Sequence, residues 1–182
     1  MGFNVDWLME AMGFWYYILV YAIGIIAMVL SVISFQFKHR VAIILCNFFG
    51  QISWVLYFLL QADLTSAVAC ALSAIMLAVF SKQSKWNWVK SPFCVIFFLL
   101  LICGFSVMSF AVWSDIFPIL AGAFAVIANS RSDEKSLRSF SVLWCVFWLL
   151  NSAFKMYPVA FINDLFCTVS TIVSLVRYRE KS

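Results

Sequence analysis

Asp164 stands beside Asn163 inside an apolar run covering residues 159–176. A charged carboxylate within such a run costs a few kcal/mol, about 2.5–3.5 by insertion scales, unless it faces a cavity or a partner, or takes up a proton. The pair therefore points to a group that hydrogen-bonds a solute or holds a proton. The plainer alternatives are wetting at the edge of the run or an ion pair with Lys155. For Asn163 the plain alternative is a helix-to-helix hydrogen bond. Further amides lie in other apolar runs. Asn47 and Gln51 fall one helical turn apart on one face, and Asn151 lies 94 residues after Tyr57. Trp54 and Trp148 share that same spacing. A Trp offers a flat apolar face and one N–H donor, which suits a sugar-like ring as well as ordinary packing. These eight residues are the candidate solute-binding set. Gly24, Gly50, Gly104 and Gly122 are read as points of close helix approach.

Other chemistries lack their residues. His39 is the sole histidine and sits between Lys38 and Arg40 in a basic break. The six Cys are spread through apolar runs with no Cys-x-x-Cys, whereas zinc and thiol-redox sites use clustered thiols. There is no Gly-rich phosphate loop, and a nucleophile–base–acid set would depend on that one histidine. The expectation is no enzyme activity, no metal, no cofactor and no nucleic-acid partner.

The elements that must position these residues follow from composition. The chain has 182 residues, 65% of them hydrophobic and 11% charged, with a mean hydropathy of +1.02. Soluble domains carry about 25% charged residues, so lipid is the expected solvent. A spanning helix needs about 20 apolar residues. Seven such runs are read, at 15–37, 41–60, 64–80, 92–112, 116–129, 137–154 and 159–176. Lipid leaves helices or a closed barrel, and barrel strands alternate apolar and polar residues. These runs are continuously apolar, so they are helices. The start carries Asp6 and Glu10 and no base. It is read as an interfacial segment, 1–14, rather than a cleaved signal sequence.

Grouping the breaks alternately puts eleven of the twelve basic residues on one side and Lys155 alone on the other, with Asp63 and Asp115. The positive-inside rule then places the N-terminus outside and the C-terminus in the cytoplasm of a plasma membrane. The spacing of 94 residues extends through three runs. Ile25 meets Ile119, Ala27 meets Ala121, and Asp63-Leu64 meets Tyr157-Pro158. This predicts two repeats, 15–80 and 114–178, a link and fourth helix at 81–113 that restores their common orientation, and a tail at 179–182. Parallel repeats place a solute site at their interface.

Ser34-Phe35-Gln36 before Lys38, and Trp54-Val55-Leu56-Tyr57 before Asp63, resemble the helix ends of the SWEET and SemiSWEET transporters and the wider PQ-loop proteins. The Pro-Gln pair itself is absent. That resemblance implies two parallel three-helix bundles joined by a linker helix, with Trp54, Trp148 and Asn163 facing a sugar. Over nearly the whole chain, Tyr57-Phe58-Leu59-Leu60, Phe117-Pro118-Ile119 and Val176-Arg177-Tyr178-Arg179 resemble the YgjV family of bacterial inner-membrane proteins. Members of that family carry a His near the place of Tyr57 and an Arg near that of Met76; this chain has neither. The overall expectation is an all-α membrane protein of seven helices in the SWEET-like plan. It would be a transporter or facilitator of a small polar solute such as a sugar, or else a non-transporting sensor, scaffold or assembly factor. Lipid is the constant partner, and self-association is left open.

Overall fold

The structure is a computed structural model that describes residues 5–34, 40–80, 82, 86–130 and 134–179; the side chains of 40–47 and the break holding His39 lie outside the described set. Among the described residues every regular element is helical. A short helix α1 (Asp6–Met12) turns at Gly13, which has φ +53°, into α2 (Phe14–Ser34). There follow α3 (Arg40–Leu60), α4 (Leu64–Phe80), α5 (Pro92–Met108), α6 (Ile116–Ser130), α7 (Glu134–Phe154) and α8 (Pro158–Arg179). Short 3-10 turns at Asn87–Lys90 and Trp113–Asp115 lead into α5 and α6.

The helix boundaries have local causes. The Asp63 carboxylate accepts from the Ser66 N–H at 3.1 Å and caps α4, supplying one of the acceptors that orphan N–H groups need. Ser91 does the same for α5 through Phe93 N–H, with Pro92 in the first helical position, where a missing donor costs nothing. The expected fourth run reaches residue 112, but α5 stops at Met108. The Ser109 hydroxyl bonds back to Phe105 and Ser106, and Thr65 on α4 donates to the Ser109 carbonyl at 2.8 Å.

The turns after α3 and α7 are built alike. Gln61, Ala62 and Asp63 donate their N–H groups to Tyr57, Leu59 and Phe58, and Ala67 donates to Asp63. Lys155, Met156, Tyr157 and Phe161 make the same four bonds, each 94 residues later. Ala62 and Met156, also 94 apart, hold φ +56° and +58°. Both are left-handed helix ends of the kind that usually carry Gly.

The long helices close a ring. Each of α2, α3 and α4 packs on the next, α4 packs on α6, then α6 on α7, α7 on α8, and α8 returns to α2. Helix α5 lies outside, against α4 and α6. One core gathers Val5, Tyr16, Val20, Ala27, Trp54, Tyr57, Phe58, Ala67, Cys70 and Ala160, with Trp148 packed on it. A second seats α5 through Cys94, Phe98 and Ile102 against Met76, Phe80, Ala125 and Val126. Two glycines permit close approach. A Cβ on Gly24 would lie 2.9 Å from the Tyr57 ring and 3.1 Å from Val159, and one on Gly122 2.6 Å from Ile102. Gly50 has ordinary contacts. Gly104 corrects the expectation: nothing lies within 4 Å of its Cβ position, because it is on the outer face of α5.

The outside of the ring is apolar. Phe93, Leu100, Phe105, Met108, Phe166 and Val169 are among the large side chains left exposed. Among the described residues two windows, Phe14–Ser31 and Trp113–Ser130, are long and apolar enough to cross a membrane; five further apolar helical stretches are shorter.

Candidate functional site

Two groups of interior polar residues stand out, one joining turns far apart in sequence and one joining the consecutive helices α7 and α8, with a contact to α4. The first sits at the end of the ring where the two matching turns lie. Lys155 Nζ donates to Asp63 Oδ2 at 2.8 Å and to Asp115 Oδ1 at 2.6 Å. All three side chains are nearly buried, at 10% exposure for Lys155 and 3% for each carboxylate. The carboxylates are positioned by backbone. Asp63 is held by its cap on α4. Asp115 Oδ2 accepts the N–H groups of Ala111 and Val112 at 2.7 and 3.0 Å. Burial by itself works to raise the Asp115 pKa. The Lys155 hydrogen bond and the two backbone donors outweigh it, and the carboxyl is held below its ordinary value. Tyr157, in the turn before α8, has its hydroxyl beside Asp63; burial first, and then the Asp63 charge, push its pKa far up. This corrects the suggested pairing of Lys155 with Asp164, because Lys155 is already held between two other acids. One signal pointed here: Lys155 is the lone base in the group of breaks that also holds Asp63 and Asp115.

The second group lies deeper, on α7 and α8. The Ser152 hydroxyl donates to Asp164 Oδ2 at 2.9 Å, and Asn163 Nδ2 to Asp164 Oδ1 at 3.3 Å. Asp164 is half-buried, while Asn163 and Ser152 are buried. Beside Ser152, the fully buried Asn151 donates Nδ2 to Ser66 on α4 at 3.1 Å. That leaves buried Asn151 Oδ1 and Asn163 Oδ1 without hydrogen-bond partners. The Tyr57 hydroxyl lies near Gln61 and the Ala160 backbone, again without a bond of good geometry. Native interiors pair nearly all such atoms.

The aromatic candidates are brought together without a gap for a ring to enter between them. Phe58 stacks between the two tryptophans, with centroids 5.9 Å from Trp54 at 27° and 5.8 Å from Trp148 at 17°. Trp54 Nε1 reaches the Ser31 hydroxyl at 3.4 Å. Tyr57 is fully buried, edge-on to Trp54 and Tyr157. The place expected for a solute between Trp54 and Trp148 is filled by Phe58, a residue the search for polar chemistry passes over. Gln51 is half-buried on α3. The side chain of Asn47 lies outside the described set.

A family model described as Imp-YgjV, bacterial inner membrane protein, matches residues 18–182. Neither a curated protein nor a solved structure matches the chain.

Proposed function

The chain belongs to that Imp-YgjV family of bacterial inner membrane proteins, and from this premise we propose a multi-pass carrier whose two repeats alternate about a central site for a small polar solute. The observation that carries the reading is the Lys155 clasp. It ties Asp63 in the first half to Asp115 and Lys155 in the second, across the cleft that a rocking mechanism would open. An ion-paired clasp is bistable: it is strong when dry and loses strength once water enters. That is the property a gate needs. In this reading the clasp closes the outer face, and α2–α4 and α6–α8 form the two bundles with α5 as linker.

Three further facts support the plan. Rotating α2, α3 and α4 onto α6, α7 and α8 maps every contact of the ring onto another contact of the ring. The two turns share their hydrogen bonds and their left-handed residues at the 94-residue offset. Eleven basic residues against one support the orientation this reading takes, with the N-terminus outside and the C-terminus in the cytoplasm. The SWEET-like arrangement and the sugar-class solute remain part of this proposal.

A second reading has its own observation. The close stack of Trp54, Phe58 and Trp148 suits a permanently closed bundle, a scaffold or sensor that keeps the fold without flux. Uptake into proteoliposomes over a panel of sugars, amino acids and vitamins separates the two. The carrier reading expects saturable flux of at least one solute, reduced in Asp164→Asn and Asn163→Ala. Folded protein that moves none of the panel overturns it and leaves the scaffold reading.

A further inference from the structure

The second polar group is short of positive charge and of donors at the same place. The interior groups described above hold three carboxylates, Asp63, Asp115 and Asp164, and one ammonium, that of Lys155, which is used by the first two. Among the described residues no cation lies within ion-pair range of Asp164. Its two hydrogen bonds, from Ser152 and Asn163, leave part of a carboxylate's acceptor capacity of about four unused. The nearby amides are also part-paired. Asn151 and Asn163 each spend one amide end on a neighbour, on Ser66 and Asp164 respectively. The Asp164 carboxylate only accepts, so its bond fixes Asn163 Oδ1 as the oxygen end, buried without a donor; the Ser66 hydroxyl both donates and accepts, so it does not fix the ends of the Asn151 amide, whose far end is buried without a partner. Asn163 and Asp164 are joined by their own hydrogen bond, and the Ser152–Asp164 bond ties them to α7; Asn151, the residue before Ser152, turns instead to α4. The unmet demand at Asn163 and Asp164 is therefore for a donor or a positive charge. An anion would meet only acceptors, and a neutral polyol would leave the carboxylate unpaired.

We propose that Asn163 and Asp164 bind a small monovalent cation, either an alkali-metal ion or a protonated amine. The Asn163 amide oxygen and the Asp164 carboxylate are hard oxygen ligands that suit such an ion, and a single net negative charge matches a single positive one. Among the described residues no three His, Cys, Asp or Glu side chains come together, so the donor set here is not the imidazole–thiolate kind that selects transition metals. The binding itself stands on these contacts; its use, as the charge of the transported solute or as a coupling ion, rests on the carrier reading.

The test is thermal unfolding of the purified protein in detergent at fixed pH and fixed ionic strength. Choline chloride is replaced stepwise by sodium, potassium or methylammonium chloride. The expected result is a saturable rise in the midpoint, of at least about 2 °C, with one of the small cations and not with choline. A metal response names an alkali-metal ion, and a methylammonium response names an amine. Asp164→Asn should abolish the rise, and Asn163→Ala should raise the half-saturating concentration by about tenfold. If Asp164→Asn does not fold, the wild-type cation series and Asn163→Ala still decide. Equal or linear responses to all salts, stabilisation that follows pH alone, or a cation response surviving in Asp164→Asn each overturn the proposal. Flux of a neutral solute with no cation response overturns the cation site and leaves the carrier. A cation response in protein that moves no solute leaves the cation site and overturns the carrier.

Discussion

Replacing Lys155 by Met removes the ammonium and leaves its two acceptors facing one another. Their oxygens can be no further apart than the two bonds laid end to end, 2.8 plus 2.6 Å, or 5.4 Å. Two unit charges at that separation repel by about 3 kcal/mol at an effective dielectric of about 20. The native backbone bonds hold both carboxylates where they are, so relaxation relieves little. Breaking a buried pair from one side typically costs about 3–5 kcal/mol, and Lys155→Met belongs in that range at neutral pH. The penalty should shrink as the medium is made mildly acidic, because the facing carboxylates can then share a proton. Adding Asp115→Asn to Lys155→Met should recover part of the loss by the same logic. Denaturant titration of the three proteins in detergent micelles, at neutral and mildly acidic pH, reads all of this. A cost below about 1 kcal/mol, the level of an exposed surface pair, or a cost that does not change with pH, would refute the picture of a dry, ionised clasp.

Other consequences are independent of the clasp as a gate. The Asp115 carboxyl is held below its ordinary value, so its contribution to stability is complete above about pH 4 and fades as pH falls through the lowered folded value; Asp115→Asn should show a flatter acid limb in the same titration. Gly24→Ala places a methyl 2.9 Å from the fully buried Tyr57 ring and should cost about 1–3 kcal/mol in unfolding free energy, whereas Gly104→Ala meets nothing and should cost nothing measurable. Met156→Gly and Ala62→Gly relieve left-handed backbone at φ +58° and +56°. Each should raise the midpoint by an amount corresponding to about 1 kcal/mol, and the two effects should add because the turns are separate.

The helices were legible in the residues for a simple reason. In lipid a backbone has nowhere to place its hydrogen bonds except within the same segment, so each long apolar run must be a helix and each polar break a turn. The run read at 64–80 is α4 to the residue. Errors sit at ends, where side chains decide: Ser109 stops α5 early, and α7 begins at Glu134, a turn before the apolar run. The likeness of the two turns at 94 residues is legible in the same way, because a turn's hydrogen bonds are local and its residues are adjacent.

What the residues alone determined, then, was the helical class, the helix limits to within a turn, and the short set of polar side chains that must be accounted for. Asp164 beside Asn163 belonged to that set on cost alone. Which of them meet was decided by the tertiary structure. Lys155 lies 92 residues from Asp63 and 40 from Asp115, and no periodicity links residues on three different segments. The meeting of three turns at one end of the ring chose Asp63 and Asp115 for Lys155, and the rotation of α7 against α8 left Asp164 to Ser152. Helix rotation also put Phe58 between Trp54 and Trp148. Local hydrogen bonding makes each helix independently of the others, but the rotation of one helix against another is set only by side chains packing across the closed ring.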